Sequence, residues 1–121
     1  MLLKKIVGIF FGVLFLTFVV MQYNDPDPAI WMTIYGIAAA LNFMAAFRTP
    51  RQSIFLLAAA VYIAGGIYMW PARFEGVSIG AGDINNIEEA RESLGLFLCS
   101  LSFMVYIVLA KVTKHPSEKA L

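Results

Sequence analysis

Four charge-free apolar windows constrain this chain more than any other feature: Ile6–Tyr23, Ile30–Phe47, Ile54–Trp70 and Ser93–Ala110, each 17 or 18 residues long. At about 1.5 Å rise per residue each makes roughly 26–27 Å of helix, close to the thickness of a bilayer's hydrocarbon core. A soluble amphipathic helix would carry charges along one face, and none of these windows does. In hydrocarbon every backbone N–H and C=O must be bonded internally, which predicts α-helices. A transmembrane barrel would need alternating apolar and polar residues, and "IFFGVLFLTFVV" is apolar on every side. The expected fold class is all-α: an integral membrane four-helix bundle, forming a single transmembrane domain over residues 1–121. A short loop follows the first span, a longer one precedes the fourth, and a polar tail occupies 111–121.

The rest of the composition fits that class. Only 14% of the residues are charged and 60% are hydrophobic, against about 25% charged in an ordinary soluble domain. No nucleic-acid partner is expected of so charge-poor a chain; the expected partners are the bilayer and other membrane proteins or a second copy. The single cysteine, Cys99, allows no intrachain disulfide, and no CxxC, HExxH or Cys/His cluster supports zinc or haem. His115, the one histidine, lies in the polar tail. The first span follows Lys4 and Lys5, but it is longer than a signal-peptide core and no Ala-x-Ala site follows it, so it reads as a retained helix.

The charges outside the windows divide by side. Lys4, Lys5, Arg48, Arg51, Lys111, Lys114, Lys119 and Glu118 flank one side. Asp25, Asp27, Arg73, Glu75, Asp83, Glu88, Glu89, Arg91 and Glu92 flank the other. Seven Lys/Arg against two predict, by the positive-inside rule, that both termini are cytoplasmic and that "NDPDP" faces outward. The expected location is the inner (plasma) membrane of a bacterium. Tyr23, Trp31, Tyr68 and Trp70 fall near the outer boundaries, as an aromatic belt would.

Small residues let helices approach closely in lipid. Gly36 with Ala40, and Ala38 and Ala39 beside them, Ala60 with Ala64, plus Ala58, Ala59, Gly65 and Gly66, and the Gly95–Cys99–Ser102 stripe are expected to face the interior. Polar residues inside the windows are few, among them Asn42, Tyr62, Ser100, Ser102 and Tyr106. No charge lies at depth, which argues against a proton relay, pump or voltage sensor.

The outer acidic residues are the candidate site. Much of it follows from helix ends alone: Pro26 turns Asp25 away from helical geometry, Asp27 suits an N-cap and Pro28 the first helical position. Asn85 with Glu88, or Asn86 with Glu89, would make a capping box for the fourth helix. Capping leaves two things over. Glu88 and Glu92 place like charges four residues apart, and they continue the Gly95–Cys99–Ser102 stripe, with Arg91 beside them. If the loops meet, Asp25, Asp27, Glu88, Glu89 and Glu92 form an all-oxygen cluster suited to Ca²⁺ or Mg²⁺, and the expected metal ligands are Asp25, Asp27, Glu88 and Glu92, with Asn24 adding an oxygen. A metal-activated water attacking a lipid headgroup would be its enzymatic extension. Nothing marks a nucleophile with its base.

"QYNDPDPAIWMTIYGIAA" across the first loop and second span, with "EEARESLGL" opening the fourth helix, resembles the transmembrane protein 220 family. The resemblance implies a small four-helix membrane protein and supplies no catalytic residue. The expected function is a structural or interaction module with an acidic outer layer; the alternative is a divalent-cation site built by the first loop and the fourth helix.

Overall fold

The computed structural model describes residues 2–24, 27–78, 80 and 82–120, with the side chains of 24 and 113–120 left aside. The chain is all-helical over these residues: α1 (Leu2–Met21), a 3₁₀ turn (Gln22–Asn24), α2 (Pro28–Phe47), α3 (Gln52–Tyr68) and α4 (Ile84–Ala120). α1, α2 and the Ile84–Val112 part of α4 are long and apolar enough to cross a membrane, while α3 is a shorter apolar helix of 17 residues.

The helices pack as two antiparallel pairs, α1 on α2 and α3 on α4, and α4 also lies along α1 and α2. The α1–α2 seam is built on glycine. A Cβ at Gly8 would stand 2.7 Å from the Asn42 carbonyl oxygen and one at Gly12 would stand 2.7 Å from the Phe43 ring. Gly8-x-x-x-Gly12 is thus the close-approach pair of this seam. The α3–α4 seam is aromatic: the rings of Phe55 and Tyr106 are 4.2 Å apart and those of Tyr62 and Phe103 meet edge-on at 5.1 Å. Such edge-to-face contacts add about 0.5–1.5 kcal/mol beyond burial. Where α2 meets α4, Gly95 lies against the Tyr35 hydroxyl, leaving no room for a side chain.

Which faces turn inward differs from expectation in part. Cys99, Ser102 and Gly95 are buried, as the stripe predicts. Gly36 and Ala40 are not: a Cβ at Gly36 would meet nothing within 4 Å, and Ala40 is exposed. Ala60 and Ala64 are exposed as well. Of the small residues expected inside, Ala38 and Ala39 on α2 and Ala59 and Gly66 on α3 do face inward, together with Asn42, Ala45 and Ala46 on α2 and Phe55 and Tyr62 on α3. Both helices carry small residues on more than one face, and the inward one is the face bearing their interior hydrogen-bonding group, Asn42 or Tyr62. Polar groups avoid lipid, so their placement outranks small size. Trp31 also differs: it is buried and its ring lies 6.2 Å from that of Tyr35, so it packs the core, whereas Tyr23 and Tyr68 are exposed.

α4 starts at Ile84, about two and a half turns before its apolar window, and is capped by Asp83, not by Asn85 or Asn86. The Asp83 carboxylate accepts the Asn85 N–H at 2.9 Å and its carbonyl accepts the Ile87 N–H at 3.0 Å. Asp83 precedes the first helical residue, which is where an aspartate side chain can satisfy an orphan N–H. α2 starts as expected, with Asp27 at the N-cap position and Pro28 first in the helix. The Asp27 carbonyl accepts the Trp31 N–H at 3.4 Å, although its side chain makes no cap bond.

Candidate functional site

Two polar regions stand out, one at each end of the helices. The first contains the sequence-predicted site. Asp25 and the side chain of Asn24 lie outside the described residues. Asp27 is exposed at the start of α2. Glu88, Glu89 and Glu92 are half-buried on the first turns of α4, and Arg91 is exposed, its Nε donating to the Val77 carbonyl at 2.6 Å. Arg91 therefore ties the α3–α4 loop to α4. Among the described residues no three His, Cys, Asp or Glu side chains come together to hold a metal.

The hub of this end is Glu75, which was not among the predicted site residues. Its Oε1 accepts the Asp83 N–H and the Asn86 Nδ2, each at 2.9 Å. In a capping box the third residue of the helix bonds back to the cap residue's N–H. Here the acceptor is the same chemical group, supplied from the loop eight residues earlier. The Asn86 amide, then the Asp83 N–H and the charge of Arg73, hold the Glu75 carboxyl below the usual carboxylate range. The sequence signal was only a glutamate in a glycine-containing loop, and nothing in its spacing from α4 marks the pairing.

The second region lies inside, toward the opposite end. Asn42 on α2 donates to the Ala38 carbonyl at 2.9 Å and to Ser102 Oγ on α4 at 3.0 Å. Ser102 in turn donates to the Cys99 carbonyl at 2.6 Å. Tyr106 donates to the Pro50 carbonyl at 2.7 Å, joining α4 to the α2–α3 turn. Lys4 is buried, and its ammonium donates to the carbonyls of Ala45 and, at 2.7 Å, Arg48. These lie in the last turn of α2 and at its C-cap, where unpaired carbonyls carry the negative end of the helix dipole. Lys4 is thus a C-terminal cap for α2 supplied by α1; the sequence showed it only as one of two flanking cations. Lys4, Asn42, Ser102 and Tyr106 line a cavity of about 10 Å³ between α1, α2 and α4, room for about one water molecule.

Farther along the seams, Ser93 donates to the Gly66 carbonyl at 2.6 Å, Ser100 to that of Ala59 at 2.9 Å, and Tyr62 to that of Ile34 at 2.7 Å. Among the described residues no buried side-chain nitrogen or oxygen lacks a partner. The interior chemistry is that of fasteners: each hydroxyl or amide is directed at a backbone oxygen, in an environment where an unsatisfied group costs several kcal/mol.

No curated protein and no solved structure matches this chain. The family model described as "Transmembrane family 220, helix" matches residues 14–108, from the middle of α1 to the last apolar turns of α4, and the chain belongs to that family.

Proposed function

We propose that the protein is a multi-pass inner-membrane protein of a bacterium, in which all four helices cross the bilayer, both termini are cytoplasmic, and the molecule serves as a structural or interaction module. The observation that carries the module reading is the use of the interior polar groups. Ser93, Ser100 and Tyr62 each bond a backbone carbonyl of another helix. Groups committed to holding helices together favour a rigid scaffold that presents its ends to other molecules.

The crossing of α3 is supported by its alignment with α4. Ser93 reaches Gly66 and Tyr106 reaches Pro50, so α3 and the apolar part of α4 occupy the same depth. Its 17 residues make roughly 26 Å, a mismatch of a few Å that local thinning and anchoring side chains accommodate. Arg51 and Trp70 flank it as such anchors. The basic residues at the α1 start and the α2–α3 turn favour the cytoplasm for that end.

Single-cysteine labelling tests the topology, in a Cys99→Ser background with a membrane-impermeant maleimide. Ser78→Cys and Ala72→Cys are expected to label in intact spheroplasts, and Leu3→Cys and Ser53→Cys only after permeabilisation. Labelling of Ser53→Cys and Ala72→Cys from one side would remove the four-crossing reading, and the inverse pattern would reverse the orientation. For the module reading the decisive measurement is turnover. Hydrolysis of phospholipid by the purified protein, abolished by Asp25→Asn with helical circular dichroism intact, would make the protein an enzyme instead.

A further inference from the structure

Three tertiary contacts gather one set of charges at a single end. Lys4 bonds the Arg48 carbonyl, Lys5 Nζ stands 5.5 Å from the centre of the Phe47 ring, and Tyr106, five residues before Lys111, bonds the Pro50 carbonyl beside Arg51. The start of α1, the α2–α3 turn and the late part of α4 therefore lie at one level. Lys5, Arg48, Arg51 and Lys111 are exposed there, and no acidic side chain accompanies them among the described residues. The acidic side chains Asp27, Glu75, Asp83, Glu88, Glu89 and Glu92 belong to the opposite end.

The fifth cation changes what this surface presents. Lys4 covers the carbonyls at the end of α2, the negative pole that would otherwise repel an anion. The four exposed cations are left facing outward, with the bonds of the fold made by Lys4 and by backbone carbonyls. Directly beside them are large exposed apolar groups: Leu3 at 48%, Phe47 at 62%, Ile54 at 48% and Val112 at 57% exposure. A rim of cations backed by exposed hydrocarbon matches a molecule that is anionic at one end and apolar below it.

We propose that this end is a binding site for the headgroup of an anionic phospholipid, with the phosphate held among Lys5, Arg48, Arg51 and Lys111 and the acyl chains along the apolar surface beneath. The site rests on the membrane-spanning reading but not on the orientation or on the module role, so its failure leaves those standing. Attraction of a Lys or Arg to an anionic membrane surface corresponds to about fivefold in affinity per cation.

The test is native mass spectrometry of the purified full chain in detergent, with phosphatidylglycerol and phosphatidylcholine of identical acyl chains in competition. The wild type is expected to retain phosphatidylglycerol preferentially, by about fivefold for each cation engaged. The Lys5→Gln/Arg48→Gln/Arg51→Gln variant, with helical circular dichroism unchanged, is expected to lose that preference. Equal retention of the two lipids by the wild type, or an undiminished preference in the folded variant, overturns the proposal. Displacement of phosphatidylglycerol by equimolar inorganic phosphate also overturns it, because the apolar part of the ligand would then contribute nothing. Should the triple variant not fold, the wild type alone decides. Its preference must fall as sodium chloride rises from about 0.05 M to about 0.5 M, through screening of exposed charge, and a salt-independent preference overturns the site.

Discussion

Asn42 and Ser102 are joined by a side-chain hydrogen bond of 3.0 Å across the α2–α4 seam, and each also bonds the backbone of its own helix, at the Ala38 and Cys99 carbonyls. That double anchorage sets the size of the effect expected when either is removed. Asn42→Leu leaves Ser102 its Cys99 partner, and Ser102→Ala leaves Asn42 its Ala38 partner, so neither strands a polar group. Each single change is expected to destabilise by about 1–2 kcal/mol or less, with a coupling of about 0.6 kcal/mol in the double-mutant cycle. Reversible unfolding in mixed micelles measures it. A coupling near zero would mean that the bond does not hold α2 to α4.

A glycine series separates tight seams from open faces. At Gly8 an added Cβ lies 2.7 Å from the Asn42 carbonyl oxygen, and backbone cannot yield cheaply. Gly8→Ala is therefore expected to cost about 1–3 kcal/mol, the usual range for overpacking. Gly95→Ala should cost a similar amount through its collision with the Tyr35 hydroxyl, and adding Tyr35→Phe should recover part of it. Gly36→Ala, which meets nothing within 4 Å, should stay within about 0.5 kcal/mol of the parent. Thermal unfolding followed by circular dichroism ranks the three. A Gly36→Ala loss as large as that of Gly8→Ala would contradict the assignment of faces.

Lys4 and Lys5 are adjacent in sequence and unequal in structure. Lys4→Met removes two donors from the Ala45 and Arg48 carbonyls, and a loss of about 1–2 kcal/mol is expected from the uncovered C-terminal end of α2. Lys5→Met removes an exposed ammonium near the Phe47 ring and should cost about 0.5–1 kcal/mol or less. Denaturation of the two variants in parallel makes the comparison, and equal losses would remove the capping role of Lys4.

Glu75 gives the acidic end a pH dependence of known sign. Its folded carboxyl is held low by Asn86, Asp83 and Arg73. A depressed carboxylate stabilises the fold above its unfolded value, and the contribution is lost as pH falls through the folded value. Hydrogen exchange at the Asp83 amide, which donates to Glu75, should therefore be slow at neutral pH. It should accelerate as pH is lowered through and below the ordinary carboxylate range, after correction for intrinsic rates. Glu75→Gln should show weaker protection that no longer changes over that range. Unaltered pH dependence in Glu75→Gln would assign the effect to another carboxylate.

Much of the architecture was legible because lipid imposes it. The windows beginning at Ile6, Ile30, Ile54 and Ser93 correspond to α1, α2, α3 and α4, since a charge-free run can satisfy its backbone only as helix. The family was legible too, in the Asp-Pro element and "EEARESLGL", both within the matched residues 14–108. The start of α4 was less legible. Asn85 and Asn86 offered cap patterns, yet Asp83 won, because Glu75 folds back to bond its N–H and the side chain of Asn86. The partner that decides between cap residues lies eight residues away from the cap, beyond any local motif.

The amino-acid order by itself determined helix number, approximate span and the separation of basic from acidic ends, because those depend on transfer from water and on charge alone. Tertiary structure decided which face of each helix turns inward. A helix apolar on all sides has no amphipathic signal to orient it, so small residues at Gly36 and Ala60 could not be told from those at Ala39 and Ala59. Orientation came from neighbours: Gly8 and Gly12 admitting Asn42 and Phe43, Gly95 admitting Tyr35, and hydroxyls and amides seeking carbonyls that lipid does not offer. The same contacts turned Lys4 from a flanking charge into the cap of another helix, a role that exists only once α1 and α2 are packed side by side.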